Sequence, residues 1–157
     1  GRIMCLVRTQ YGIAQSFSSD KGKTWTKGED SGIYGPNSRF FISRCKSGRL
    51  LLINHPKPEG KENKDYRVRE KLTAYLSEDD GKTWKGGLLL DERQGVSYPD
   101  GTILDDGSIV IIYDWERCKE GDILAARFTE EEILAGKISS KKSFLKKLIS
   151  HTGGLKN

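Results

Sequence analysis

The chain has 157 residues, of which 35% are hydrophobic, 31% are charged and 18 are glycine. That length can bury a core, and the glycine count points to many turns. No run approaches the roughly 18 apolar residues of a membrane helix, and no apolar leader core or Arg-rich transit segment opens the chain. The formal net charge is +5, which taken alone suggests nucleic acid or an anionic surface as a partner. Residues 137–157, however, hold six lysines and no acid, so they carry +6 and the other 136 residues carry −1. A short lysine-rich stretch reads as a solvated face, and neither nucleic acid nor a membrane is expected as a partner.

In chain order, Gly1–Arg8 is a glycine, a polar residue and a short apolar run. The same shape returns at Gly48–His55 and at Gly107–Asp114, spaced by 47 and 59 residues. Each run is too short for a stable helix and is rich in Ile, Leu and Val, so each predicts a buried strand entered from a turn. A second repeat interleaves with the first. Ser18, Asp20, Gly22, Lys23, Thr24 and Trp25 match Ser77, Asp79, Gly81, Lys82, Thr83 and Trp84 in the pattern S-x-D-x-G-K-T-W, 59 residues apart. The pattern predicts a hairpin turn. Ser and Asp side chains bond nearby amides, Gly supplies positive φ, and Trp packs back on the turn. A third unit, Tyr98 to Phe128, ends in an apolar strand where a further box would stand. Strand, strand, box and loop at this spacing fit four-stranded β-propeller blades.

The end of the chain differs. Thr129-Glu130-Glu131-Glu132 is a capping box opening a one- or two-turn helix that stops at Gly136. Phe144, Leu145, Leu148 and Ile149 then lie at helical spacing among lysines. The chain therefore divides into a propeller part, 1–136, and a basic tail, 137–157, partly helical and docked on the sheet. Cys5, Cys45 and Cys118 show no paired spacing, and Cys5 reads as a buried thiol. His55 and His151 show no metal-ligand spacing and have no nucleophile motif beside them. No metal and no cofactor is expected.

The repeated box is an Asp box, and the chain resembles the sialidases of the Asp-box, or BNR-repeat, superfamily over most of residues 1–136. The resemblance implies an all-β, six-bladed propeller of which this chain is about three blades. It also implies that the boxes Ser18–Trp25 and Ser77–Trp84 are structural turns away from the active face. Such enzymes bind the sugar carboxylate with three arginines and use a tyrosine nucleophile polarised by a glutamate, with an aspartate acid/base. Leu6-Val7-Arg8-Thr9 is similar to the segment carrying the middle arginine. Arg69-Glu70-Lys71-Leu72 is similar to the segment carrying the last one, with Arg67 as a rival. Ser97-Tyr98-Pro99-Asp100-Gly101 resembles the nucleophile segment, with Pro99 where the family often has Ser and Asp114 where it has Glu.

The resemblance thus implies Arg8 and Arg69 as substrate-binding residues and Tyr98 as the nucleophile. An Arg fork makes two parallel bonds to a carboxylate. A neutral phenol avoids the repulsion that a carboxylate nucleophile would meet at an anionic sugar; sialidases are the known tyrosine exception among glycosidases. Plainer readings stand beside these. Tyr98 could be a loop aromatic, Asp100 reads as a turn residue, and Asn37, Arg39 and Asn54 are rim candidates. The glutamate, the first arginine and the acid/base would fall upstream of Gly1. The expectation is a C-terminal half of a retaining exo-α-sialidase, inactive alone, whose open strand edges pair with an N-terminal half or a second copy. The substrate would be a sialylated glycan or another sugar, and the family resemblance alone suggests a secreted or periplasmic location. The alternatives are a related glycosidase of other specificity and a non-catalytic carbohydrate-binding propeller.

Overall fold

The computed structural model describes residues 1–58 and 67–153. The last residue of the basic stretch to carry charge, Lys156, lies outside them. Among the described residues eleven strands and one helix follow in chain order. They are β1 (Ile3–Arg8), β2 (Ile13–Ser18), β3 (Glu29–Asp30), β4 (Phe41–Arg44), β5 (Leu50–Asn54) and β6 (Leu72–Ser77). β7 (Lys85–Asp91), β8 (Val96–Ile103), β9 (Ile109–Trp115), β10 (Asp122–Phe128), α1 (Glu130–Ala135) and β11 (Phe144–His151) complete them. The architecture is nearly all β, in three antiparallel sheets. β1-β2-β3 forms one sheet, while β4-β5-β6-β7 and β8-β9-β10-β11 are four-stranded meanders in which each strand pairs with its chain neighbour.

Two compact units result. The first comprises 1–38 and 57–68, the second 39–56 and 69–157. The second unit holds both meanders, and their apolar faces share one core. Leu51, Ile53, Leu72, Ala74, Leu76, Leu88 and Leu90 meet Val96, Ile109, Ile111, Tyr113, Leu124, Ala126 and Phe128, with Ile133 of α1. Two of the three repeated apolar runs are thus buried strands, β5 along its whole length and β9 on one face. The first is not. β1 leaves Ile3 41% and Val7 50% exposed, and Cys5 is half-buried. β1 is an edge strand, paired on one side only among the described residues, so its apolar side chains lack a second neighbour.

Both boxes close as the pattern predicts. Ser18 Oγ donates to Asp20 at 2.8 Å and accepts from Gly22 N at 2.8 Å. Asp20 accepts from Thr24 N at 2.9 Å and from Thr24 Oγ1 at 2.6 Å. Ser77, Asp79, Gly81 and Thr83 repeat this set with distances of 2.8, 2.8, 2.8 and 2.6 Å. Gly22 and Gly81 both sit at φ 87°, where a side chain would be strained. Trp25 returns its Nε1–H to the Gly22 carbonyl at 3.0 Å, while Trp84 is half-buried on the second turn. Bonds to the carboxylate form hold Asp20 at about 2, the Thr24 hydroxyl contributing most, and Asp79 is lowered in the same way by Thr83.

The registers place the boxes away from the other sheet ends. In the first unit Ile3 pairs with Ser18 and Arg8 with Ile13. In the second, Leu50 pairs with Ser77 and Asn54 with Thr73. Arg8 therefore ends its strand away from the first box, and the segment before Leu72 lies away from the second.

The end of the chain corrects one expectation. α1 forms as the capping box predicts, with Thr129 as N-cap and Gly136 at φ 68° as C-cap. Phe144–His151 is a strand, however, not a helix. It pairs antiparallel with β10 and completes the third meander. Leu148 and Ile149 are 54% and 58% exposed, and Leu145 alone packs against the core. So short a helix is marginal in water, whereas the open edge of β10 offers a ladder of backbone bonds.

Glu132 holds the turn between α1 and β11. Its carboxylate accepts from Thr129 N at 2.9 Å, Ser139 N at 2.6 Å, Ser140 N at 2.7 Å and Ser143 Oγ at 2.7 Å. Burial opposes its charge, but these donors override burial and hold the group at about 2. Because the folded value is depressed, this stability is present above the ordinary carboxyl value of 4.5 and is lost as pH falls toward 2. Glu132→Ala is expected to destabilise the chain by about 3 kcal/mol, since buried donors lose their acceptor. Urea melts at neutral pH check the loss, and the deficit should shrink in acid.

Candidate functional site

Arg8, at the end of β1, is exposed, and the chain turns after it with Thr9 N bonded to Gly12 O at 2.9 Å. Beyond this turn Tyr11, Asp30, Gly32, Ile33, Tyr34 and Lys57 line an open hollow of about 160 Å³. These residues all belong to the first unit. Arg69 and Tyr98 belong to the second, whereas the rival arginine, Arg67, falls in the first.

Within the second unit, three loops meet at the end away from the box. Gly95 N donates to Arg69 O at 2.8 Å, and Glu116 N donates to Gly95 O at 3.1 Å. Two backbone bonds through one residue thus join the segment before β6, the entry to β8 and the exit from β9. Gly95 sits at φ 83°, and a Cβ there would come within 2.3 Å of Glu116 Oε1. Behind this junction the frame is polar and buried. Asp91 accepts two bonds from Arg93, at 2.9 and 2.6 Å, and one from the Tyr113 hydroxyl at 3.0 Å. Arg93 also lies over Trp115, 4.1 Å from the ring centre, and Trp115 Nε1–H donates to Gln94 O at 3.0 Å. Burial opposes ionisation of Asp91, but Arg93 keeps it below the usual carboxylate range; burial and the facing Asp91 push the Tyr113 phenol up.

His55 supports the same segment from β5. It is buried, and its Nδ1 lies 2.9 Å from Glu70 O, so Nδ1–H donates there and the ring is neutral. Its Nε2 has no partner among the described residues. Burial pushes the imidazole down to about 4. Sequence spacing gave His55 no role; the structure makes it a brace for Arg69-Glu70.

Tyr98 occupies a β-bulge. Ser97 pairs with Asp114 and Asp100 with Ile112, so β8 carries one residue more than β9 over this stretch. Tyr98 takes φ 52°, the left-handed region that a bulky residue rarely enters and that its position before Pro99 further disfavours. Such a conformation costs on the order of 1–3 kcal/mol and persists only where surrounding structure enforces it. Pro99 fits because a bulge frees the strand from one ladder bond. Ser97 Oγ donates to Asp114 Oδ1 at 2.5 Å and fixes the start of the bulge.

Two guanidinium groups face the tyrosine ring. Arg69 Cζ lies 5.5 Å from its centre and Arg117 Cζ 4.2 Å. The neighbouring Tyr98 raises the Arg117 guanidinium above its ordinary value. Arg117 is the residue that sequence reasoning missed. It stands three positions after Asp114, but nothing local shows that the β9–β10 loop turns back over Tyr98. Its available signal is the pairing of β8 with β9.

The remaining candidates separate. Asn54 is buried at the end of β5, not on a rim, because β5 is covered along its length. Asn37 is exposed in the first unit. Asp100 is not a turn residue. It lies within β8, where the bulge before it restores pairing, and it meets Arg39 at 2.9 Å. Among the described residues no three His, Cys, Asp or Glu side chains converge as a metal site would require. Chemically, the arrangement presents a partly exposed phenol beside two positive charges, suited to recognising an anion next to a nucleophile.

Two outcomes follow from the frame. Gly95→Ala is expected to lower stability by about 1–2 kcal/mol through its left-handed backbone, read by thermal unfolding. His55 gains its proton more readily when unfolded. Stability is therefore unaffected above pH 6.5 and falls as pH drops from 6.5 to 4, by about 3 kcal/mol in full. Denaturant melts across that range should show the slope, and His55→Gln, which cannot charge, should flatten it.

The comparisons with known proteins agree with the turns and sheets. No curated protein matches the chain. A family model described as BNR repeat-like domain matches residues 1–111, which spans both boxes, Arg8, Arg69 and Tyr98. The match fits the sialidase and BNR-repeat superfamily in general. With two closed Asp boxes and a family match over most of its length, the chain belongs to the BNR repeat-like domain family.

Proposed function

We propose that the chain is part of a sialidase-like glycoside hydrolase, in which Tyr98 is the nucleophile and Arg8 and Arg69 bind the substrate carboxylate. The observation that carries this reading is the bulge. A tyrosine held at φ 52° with an arginine 5.5 Å from its ring centre is a costly arrangement that packing alone does not require. In this reading the three sheets are blades of a six-bladed propeller, completed by further blades or a second copy. Support comes from the meander order of the second and third sheets and from the box that follows β2 in the first unit and β6 in the second. The reading also calls for an aspartate acid/base and a glutamate that polarises the tyrosine, as the family resemblance implies.

The chemistry is retaining. Tyr98 oxygen bonds to the anomeric carbon while its phenolic proton passes to the polarising carboxylate, the glycosidic C–O bond breaks and the leaving oxygen takes a proton from the acid/base. Water, giving its proton back to the acid/base, then displaces the tyrosine, which regains its own proton, and the sugar leaves with its configuration kept. Arg8 and Arg69 fix the carboxylate on that same carbon and so orient it for attack. Tyr98→Phe in a protein carrying the complete propeller is expected to reduce turnover of a fluorogenic sialoside by a thousand-fold or more, on the order of losses seen for nucleophiles. Arg69→Ala is expected to lower kcat/KM about a hundred-fold. Unchanged kinetics in Tyr98→Phe would remove Tyr98 from the mechanism, and unchanged kinetics in Arg69→Ala would favour a neutral-sugar glycosidase.

A second reading, a non-catalytic carbohydrate-binding propeller, is favoured by the hollow in the first unit. Tyr11 and Tyr34 with Asp30 and Lys57 give the mixed aromatic and polar lining on which sugar rings pack. Glycan binding without hydrolysis by the complete propeller would choose it.

A further inference from the structure

We propose that Arg117, in the β9–β10 loop, is a positioning residue for Tyr98 that holds its ring in one orientation and keeps a positive charge over its face. The contact is closer than that of Arg69, 4.2 against 5.5 Å from the ring centre, and sets the guanidinium over the face of the ring. Arg117 does not reach Tyr98 by chance of a loose loop. Glu116 N is tied to Gly95 O at 3.1 Å, and Lys119 N and Gly121 N both return to Glu116 O, at 2.7 and 3.0 Å. The loop is therefore a closed turn whose base is fixed to the entry of β8.

The charged groups around the phenol explain why an arginine is needed there. Glu70 accepts from Gln94 at 3.2 Å, Glu116 pairs with Lys119 at 3.0 Å, and Asp100 pairs with Arg39 at 2.9 Å. Asp114 takes the Ser97 hydroxyl and faces Arg117 electrostatically. The acids are thus engaged elsewhere, while Arg69 and Arg117 face the ring. A cation held beside a phenol favours its ionised form, the form that attacks. Arg117 therefore performs from the third sheet part of the work that a polarising carboxylate would do. The catalytic meaning of the contact rests on the sialidase-like reading; the contact itself does not.

The near-ultraviolet absorbance of tyrosinate tests it on this chain. It is followed against pH for the unaltered sequence and for Arg117→Gln, each with and without Tyr98→Phe. The differences isolate Tyr98 among the six tyrosines. Arg117 is exposed, so its replacement is expected to leave the core intact, which circular dichroism checks. Arg117→Gln is expected to move the Tyr98 titration to higher pH by roughly one pH unit. Coincident titrations with unchanged circular dichroism would overturn the proposal. A displaced titration together with no sialoside turnover by the complete propeller would sink the sialidase-like reading and leave the Arg117 assignment standing.

Discussion

Between Ser97 and Asp100, β8 carries one residue more than β9 can pair. That surplus is the constraint on which the site depends. A strand without it would alternate its side chains, and Tyr98 would stand in the ordinary pleat. With it, the backbone at Tyr98 enters the left-handed region and the side chain is re-aimed while the ladder resumes at Asp100. The conformation is unfavourable in isolation, so the surrounding structure has to impose it. Three groups do so. Ser97 is bonded to Asp114, Gly95 is bonded on both sides to neighbouring loops, and Asp91 with Arg93 and Tyr113 fixes the chain just upstream.

The two ends of the second unit do different work. At the box end, side chains bond to their own turns, and exposed ion pairs such as Arg44 with Asp80 and Lys85 with Glu78 surround them. Exposed pairs of this kind contribute little to stability, so the box end is held mainly by its turn geometry. At the other end the bonds run between segments far apart in the chain. His55 reaches Glu70, Gly95 reaches Arg69 and Glu116, and Arg117 reaches Tyr98. A box is thus evidence of a family turn and says little about chemistry, which lives in the grafted site.

This difference also decides what could be read from the sequence. The boxes and the α1 cap were legible because every partner lies within four residues of its donor. β5 and β9 were legible from apolar content alone. The strand Phe144–His151 was not, because its pattern carries a helical period and α1 with its following turn stands between it and its pairing partner, β10. β1 was misjudged for the same reason: apolar content predicts burial only where a neighbour covers the strand, and β1 is an edge. Arg8, Arg69 and Tyr98 came from family resemblance rather than from local pattern. Arg117 and the bulge could be read from neither, since both depend on how β8 registers against β9.

Groups whose protonation is displaced often mark catalytic sites, yet here they mark the frame. His55 is held neutral by burial, but its Nδ1 is spent on a backbone carbonyl, so it braces the Arg69 segment and moves no proton. Arg93 lowers Asp91 and burial chiefly raises the Tyr113 phenol, and the buried hydrogen bond the two share orients the approach to β8. Tyr98 differs from these in kind. It is partly exposed, its backbone is strained, and two cations face its ring. Buried displacement builds the support, and the strain and positive charge gathered at one accessible phenol give that support a purpose.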